Sequence, residues 1–161
     1  MSGIVIRRAG PEEAQALAEV HRAADWETYA PLFGPAAKRI DAEATLERWR
    51  EALARGDIVL AAIDTDRVVG VAHIEGDLLR ALYLLASHHR QGVGRRLLTT
   101  ALALAAARGL TSVRFNVVEN NDRAVAFYEA LGARRTGRSL QRDDDDDQWW
   151  DYDYRIDAPA G

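Results

Sequence analysis

One stretch of the chain, residues 78–108, constrains the fold more than any other. An apolar run of extended character ends at Leu85, a turn containing Gly92 and Gly94 follows, and an amphipathic helix then begins with Arg95 and Arg96 in its first turn. This order predicts a strand, a glycine turn and a helix start. The first N–H groups of a helix have no internal partner and lie at the positive end of its dipole, so they suit an anion, and phosphate in particular.

Two common phosphate-binding motifs do not account for this turn. A dinucleotide-binding turn needs a third glycine where Leu97 stands, and the stretch lies mid-chain without a repeating parallel pattern. A Walker loop needs Lys followed by Ser or Thr after its last glycine, whereas Arg95 and Arg96 follow Gly94. Both motifs are therefore excluded, and a tight turn with surface arginines remains the plain structural alternative.

A second segment about 25 residues further on supplies the context. With the first it resembles the GCN5-related N-acetyltransferase (GNAT) superfamily, whose loop reads Gln/Arg-x-x-Gly-x-Gly/Ala and whose later helix reads Asn-x-x-Ala-x-x-x-Tyr-x-x-x-Gly. The later motif is matched at Asn121, Ala124, Tyr128 and Gly132. The loop keeps both glycines but has His89 where Gln or Arg is usual. The resemblance covers roughly residues 58–156, and the first 57 residues share only the layout.

The resemblance implies an α/β (α+β) fold with a mixed, mostly antiparallel central sheet of about seven strands and helices on both faces. We expect one GNAT-like domain over residues 1–157 and a disordered tail over 158–161. The hydrophobic pattern itself indicates an antiparallel meander through residues 58–84 and a last strand from Gln148 with one packed side. Prolines and glycine over residues 25–35 predict a loop rich in large side chains, which either lines a substrate cleft or packs on its own domain.

Composition bounds the class of protein. The 161 residues suffice for one domain with a two-layer core, and a net charge of −4 gives no broad nucleic-acid footprint. With no cysteine, the chain has neither a thiolate zinc site nor a cysteine nucleophile, and we expect no metal. The absence of a secretory signal pattern and of an apolar run of about 18 residues predicts a cytoplasmic protein without membrane contact. A homodimer is left open.

The resemblance also implies a function, acetyl transfer from acetyl-CoA to a primary amine of a small molecule or peptide by direct attack. In that family the cofactor's pantetheine arm enters a gap between two splayed strands. Tyr128 would be the general acid that protonates the departing sulfur. The implied cofactor contacts are the main chain of Leu84, Leu85 and Ala86, the N–H groups of Gln91, Gly92, Val93, Gly94 and Arg95, and residues Asn121, Ala124 and Tyr128.

The general base is unresolved from the sequence. Many relatives carry a Glu on the strand before the loop, but Leu78 holds that place here. Asp77 or Glu75 is the tentative base, and His73 and Glu27 are further candidates. The missing Glu keeps open a non-catalytic acyl-CoA-binding regulatory domain of the same fold, and a fold relative that binds no CoA is a third reading.

Five consecutive aspartates, Asp143 to Asp147, stand just before the last predicted strand, and the resemblance would place them beside the acceptor entrance. A solvated charged loop is their plain structural interpretation. The functional alternative is a negatively charged funnel, with Asp151 and Asp153 nearby, that raises the local concentration of a cationic amine.

Overall fold

The computed structural model describes residues 3–160, so Gly161, the end of the predicted tail, lies outside the described residues. Seven strands and four α-helices are present in that range. In chain order they are β1 (Ile4–Arg8), α1 (Ala14–Phe33), α2 (Ala42–Arg55), β2 (Ile58–Asp64), β3 (Arg67–Glu75), β4 (Leu78–Leu84), α3 (Val93–Ala107), β5 (Ser112–Val118), α4 (Asp122–Ala130), β6 (Arg134–Arg142) and β7 (Gln148–Asp157).

All seven strands join one sheet in the order β1-β2-β3-β4-β5-β7-β6. The first four strands form an antiparallel meander, and β5, β7 and β6 form a second antiparallel group. The two groups meet where β4 and β5 run parallel, and their register contains the single pair Leu78 and Arg114. Beyond that pair the strands separate. The predicted mostly antiparallel seven-stranded sheet is confirmed, and its centre is open.

The helices cover both faces of the sheet, as predicted. On one face α3 buries Leu97, Leu98 and Ala101 against the sheet, and α4 packs beside it. On the other face α1 and α2 bury Leu17 and Trp49. The strands β2, β3 and β4 therefore carry apolar residues on both sides, which explains their nearly continuous hydrophobic sequence. None of the helices in the described part of the chain combines the length and apolar character needed to cross a membrane.

The prediction of a loop over residues 25–35 is wrong, because most of this segment is helical. Helix α1 continues through this segment to Phe33 and ends at Gly34, whose φ of 55° stops the helix. Pro31 lies in the last turn, where it removes only one helical hydrogen bond. Packing compensates for that loss, since the Tyr29 and Phe33 rings lie 5.9 Å apart and Phe33 contacts the Trp149 ring at 6.4 Å.

The prediction that one side of β7 packs against the core is correct only for the second half of the strand. Tyr154 and Ile156 are buried as expected, but Trp150 is 40% exposed and the neighbouring Asp151 is buried. The pairing of β7 with β5 ends at Asp151. Trp150 thus lies past the sheet core, where the Arg138 guanidinium covers its ring at 3.9 Å.

Candidate active site

The turn between β4 and α3 has the geometry of an anion-binding helix start. Arg90 and Gly92 adopt positive φ values of 63° and 78°, which curve the backbone around the turn. The first helical hydrogen bond runs from the Arg96 N–H to the Gly92 oxygen at 3.1 Å. The preceding N–H groups of the helix, from Val93 to Arg95, have no helical acceptor and suit a phosphate. Val93 itself is buried, so it offers only its main chain.

This turn forms one wall of a groove of about 760 Å³, which we call the loop groove. Its opposite walls are the second half of α1, with Glu27 and Leu32, and α4 with the residues before it, from Asn120 to Leu131. Gly94 lies on the groove floor, where a β-carbon would contact only the Phe127 ring at 3.6 Å. The lack of a side chain at this position keeps the groove open for a ligand.

His89, the residue that departs from the family motif, links the turn to both neighbouring elements. Its Nε2 lies 2.9 Å from the Leu84 oxygen and its Nδ1 lies against the Arg123 guanidinium. Since arginine only donates, Nδ1 is the acceptor and Nε2 carries the hydrogen. His89 therefore holds the end of β4 and the start of α4 together, with Arg123 on the groove wall.

A second, smaller cavity of about 90 Å³ lies between the separated strands β4 and β5, and we call it the splay cleft. Its walls include Leu82 and Tyr83 from β4, Phe115 and Val117 from β5, and Tyr29 from α1. Four residues line both the splay cleft and the loop groove, namely Leu82, Asn121, Ala124 and Tyr128. The two cavities thus meet at the start of α4, where the matched motif lies.

Helix α4 holds Tyr128 at this junction. The Asn121 side chain caps the helix by accepting the Ala124 N–H at 3.2 Å, which leaves its amide nitrogen free to donate. The Tyr128 ring packs between Phe115 and Phe127, at 4.4 and 5.1 Å. Within residues 3–160 no hydrogen bond engages the Tyr128 hydroxyl. Burial, and then the neighbouring Tyr29, raises the pKa of Tyr128 above its usual range, so the phenol stays protonated.

The main chain after β4 lies beside the junction, and its donors have partners. The Leu85 N–H donates to the Val69 oxygen at 2.9 Å, and the Ala86 N–H donates to Glu27 Oε1 at 3.2 Å. Glu27, one of the candidate bases, is therefore held at the groove wall as a main-chain acceptor. A ligand that bonds Ala86 would replace this carboxylate.

The other candidate bases lie away from the splay cleft. Glu75 pairs with Arg55 at 3.0 Å, and Asp77 accepts from Arg114 Nε at 3.0 Å, so both serve the β3–β4 turn and its neighbours. His73 is fully buried under α2 and bonds Asp57 at 2.8 Å. Neither Glu75 nor Asp77 belongs to the cleft or groove walls in the described part of the chain.

The sequence did not single out a polar group that the fold brings to the cleft. The Tyr83 hydroxyl on β4 lies 3.4 Å from Asp25 Oδ2 on α1, and Tyr29 on the same helix influences Tyr83 electrostatically. Burial raises the pKa of Asp25 to about 6, an effect that its bond with Tyr83 opposes. The aromatic residues of the 25–35 segment were the available signal, and a helical reading of that segment would have placed Asp25 and Tyr29 on one face.

Comparison with known proteins decides the family. The sequence model of the acetyltransferase (GNAT) family matches residues 20–133, most of the chain, and the match includes part of α1 and all of α2. The chain belongs to the GNAT family.

Two kinds of relative agree with this assignment. The peptidyl-lysine N-acetyltransferase YjaB of Salmonella typhimurium is 35% identical over 136 residues, which are 84% of this chain and 87% of the relative. The PaiA N-acetyltransferase of Thermoplasma acidophilum, solved with coenzyme A, superposes with a TM-score of 0.72 at 22% identity and covers 98% of this chain and 99% of its own. The protein yncA of Salmonella typhimurium, solved with its cofactor acetyl-CoA, superposes with a TM-score of 0.73 at 19% identity and covers 99% of this chain and 96% of its own. The chain is an acetyltransferase.

In this GNAT acetyltransferase the acidic run is tied to the loop after α1. Lys38 Nζ lies 2.9, 2.9 and 2.7 Å from carboxylates of Asp143, Asp145 and Asp147. Arg142 Nη1 also lies 3.8 Å from Asp146 Oδ1, so two positive charges offset two of the five negative charges and the hairpin between β6 and β7 remains acidic. Lys38 thereby joins the two segments that lie nearest the open end of the sheet.

Asp151 is the buried acid of the same hairpin. Its Oδ1 accepts the Trp149 Nε1–H at 3.1 Å. Burial, and to a lesser extent Asp153, raises the pKa of Asp151 to about 6. Asp151 also acts on the hydroxyl of Tyr29 electrostatically, which brings a second acid to the surroundings of the splay cleft.

Proposed function

We propose that this acetyltransferase transfers the acetyl group of acetyl-CoA to a primary amine, by direct attack of the amine on the thioester. One observation carries the proposal, the junction of the loop groove and the splay cleft at Tyr128. The groove suits a long phosphorylated ligand whose reactive end enters between β4 and β5. The cleft then brings that end to a protonated phenol.

The residues present fit acetyl-CoA. The N–H groups of Val93, Gly94 and Arg95 would hold the pyrophosphate, and Gln91 and Gly92 would shape the turn around it. The main chain at Leu84, Leu85 and Ala86 would bond the pantetheine arm, with Glu27 displaced from Ala86. Asn121 would donate its free amide nitrogen, and Ala124, being small, would let the arm pass beside α4. Acetyl-CoA supplies the activated acetyl group.

Acetyl transfer to an amine requires the protein to remove a proton, to stabilise an oxyanion and to donate a proton to sulfur. A free alkyl amine has a pKa near 10.4, so only about one molecule in 2,500 is neutral at pH 7, and the site must take a proton from the rest. Main-chain N–H groups near Leu84 would stabilise the oxyanion that develops on the acetyl carbonyl. Tyr128 would donate its proton to the departing sulfur, since its hydroxyl is protonated and unengaged.

A peptide lysine is the acceptor that we favour within the class of primary amines. The relative named as a peptidyl-lysine N-acetyltransferase is 35% identical over most of both chains. The acidic surroundings of the cleft, with Asp25, Asp151 and the hairpin carboxylates, suit a cationic side chain on a long apolar stem. The amphipathic lining by Tyr29 and Leu82 suits that stem.

The test is turnover of acetyl-CoA against a panel of amines, read as free thiol released and as acetylated product by mass spectrometry. The panel contains lysine peptides, their Nε-dimethyl counterparts as matched controls, and small amines such as spermidine. We expect thiol release with the lysine peptides and none with the dimethyl peptides. Tight acetyl-CoA binding without turnover on any amine would instead indicate a non-catalytic acyl-CoA-binding domain.

A further inference from the structure

We propose that Tyr83 is a catalytic residue that takes the proton from the acceptor amine and passes it to the carboxylate of Asp25. This inference deepens the proposed function and rests on it. No base candidate from the sequence was at the cleft, whereas Tyr83 is part of its wall and Asp25 lies directly behind Tyr83. The arrangement is a relay from the cavity to a buried acid.

The relay is built rigidly on two elements. Tyr83 is fixed by the ring of His21, which stacks on it with centroids 4.6 Å apart. Burial lowers the pKa of His21 to about 3, so its ring is neutral and its Nδ1 accepts the Trp49 Nε1–H at 3.1 Å. His21 and Asp25 are four residues apart on α1, hence one above the other on the face that contacts β4. The Tyr83 to Asp25 distance of 3.4 Å is long, as catalytic hydrogen bonds often are before substrate binds.

The charges around Tyr83 favour a tyrosine that passes a proton on over a tyrosine that rests as a phenolate base. Burial raises the pKa of Tyr83 well above its usual range, so the hydroxyl remains protonated and transmits a proton only while it receives one. Asp25, with a pKa raised to about 6, is ionised at neutral pH and is a stronger base than an exposed aspartate. The groups that act on this pair are Tyr29 on α1, Arg48 on α2 and Tyr128 on α4, and the His21 ring lies against Tyr83. Asp151 on β7 acts on Tyr29, one step further away.

Proton transfer through Tyr83 precedes acetyl transfer, and the two steps together balance in atoms and charge. The ammonium form of the acceptor gives one proton to the Tyr83 oxygen while Tyr83 gives its own to Asp25, which becomes a neutral carboxylic acid and later releases the proton to water. The neutral amine then bonds the acetyl carbon and the carbon–sulfur bond breaks. Sulfur takes the Tyr128 proton, and Tyr128 recovers one from the nitrogen. The products are the acetylated amine, free thiol and one released proton.

The experiment compares Tyr83→Phe and Asp25→Asn with wild type, as kcat/KM for a lysine peptide from about pH 7 to about pH 9.5. Matched controls are Tyr154→Phe, a buried tyrosine bonded to Glu129 at 2.9 Å outside both cavities, and the exposed turn substitution Asp66→Asn. We expect a loss of about 10²-fold for each test variant at pH 7, with the double variant no worse than either. The loss should narrow as pH rises, because water then supplies more neutral amine. Acetyl-CoA affinity by calorimetry should change less than about threefold.

Three results overturn the relay. They are an unchanged kcat/KM in Tyr83→Phe, a loss that is equal at every pH, and a loss matched by Tyr154→Phe. Wild-type turnover in the same assay separates this inference from the function beneath it. Active wild type with unaffected variants overturns only the relay, whereas a wild type inactive on every amine overturns the proposed function and the relay with it.

Discussion

The ring of Tyr128 on α4 lies 4.4 Å from the ring of Phe115 on β5, and this contact holds the hydroxyl of Tyr128 at the meeting point of the two cavities. The contact depends on the separation of β4 from β5, since paired strands would close the space that the ring borders. The ring and the hydroxyl of Tyr128 therefore have different roles. The ring joins a helix to the sheet, and the hydroxyl is the group that we propose as proton donor to the ligand.

We predict that position 94 tolerates alanine but not a bulky side chain. A β-carbon at this position meets Phe127 at an ordinary 3.6 Å, and alanine favours a helix over glycine by about 0.5–1 kcal/mol. Thermal unfolding should therefore show a variant at least as stable as wild type. Calorimetry should show acetyl-CoA binding nearly unchanged in Gly94→Ala, since the family motif admits alanine at this position, and abolished in Gly94→Trp, because the backbone approaches the pyrophosphate closely. Equal binding by wild type and Gly94→Trp would place the cofactor elsewhere.

We predict that Asp151→Asn stabilises the protein above neutral pH. The pKa of Asp151 is about 6 in the folded state and near 3.8 when unfolded, so the folded state binds more protons between these values. This contribution to stability is present at low pH and is lost as pH rises through 6. In urea unfolding at pH 8, the free energy of unfolding of Asp151→Asn should exceed that of wild type by about 1–3 kcal/mol. At pH 4 the two free energies should be equal.

The exposed substitution Asp144→Asn is the control for this measurement, and its effect should stay within about 0.5 kcal/mol at both pH values. An Asp151→Asn variant less stable than wild type at pH 8 would show that the ionised carboxylate is stabilised by its surroundings.

The acidic hairpin gives a third prediction. Replacing Asp143 to Asp147 with Asn should raise the KM for a cationic amine about threefold to tenfold at low salt, and the effect should fade as salt screens the charges. The KM for acetyl-CoA should not change. Lys38→Met is the matched control, since it breaks the same ion pairs yet leaves the hairpin more negative. If both variants raise the amine KM equally, hairpin order rather than charge is responsible.

The sequence predicted the parts of the fold whose signals are local. The meander and the glycine turn each depend on residues within a few positions of one another, and both are present. The parallel direction of β4 and β5 followed from the helix that connects them, and their separation was implied by the family resemblance. The loop prediction over residues 25–35 was wrong because it rested on Pro31 and Gly34 as helix breakers. The packing that keeps the helix intact comes from Trp149, far along the chain.

The candidate site divides in the same way. Gly92, Gly94, Asn121 and Tyr128 belong to two short motifs, and the fold brings all four to the walls of the loop groove. Tyr83 and Asp25 are 58 residues apart, and neither stands in a motif. Their contact depends on how α1 lies across the sheet. Buried acids such as Asp25 and Asp151 are recognisable only once the surrounding apolar groups are in place.

The most direct test of the account is the rate of acetyl transfer to a lysine peptide by wild type and Tyr128→Phe, measured in single turnover with the acetyl-CoA complex preformed. Phenylalanine keeps the contact with Phe115, so the fold and the acetyl-CoA affinity should be nearly unchanged. We predict that transfer slows by about 10² to 10⁴, the usual contribution of a positioned general acid. A Phe variant that transfers acetyl at the wild-type rate would contradict the account, because the hydroxyl at the junction would then have no part in the reaction.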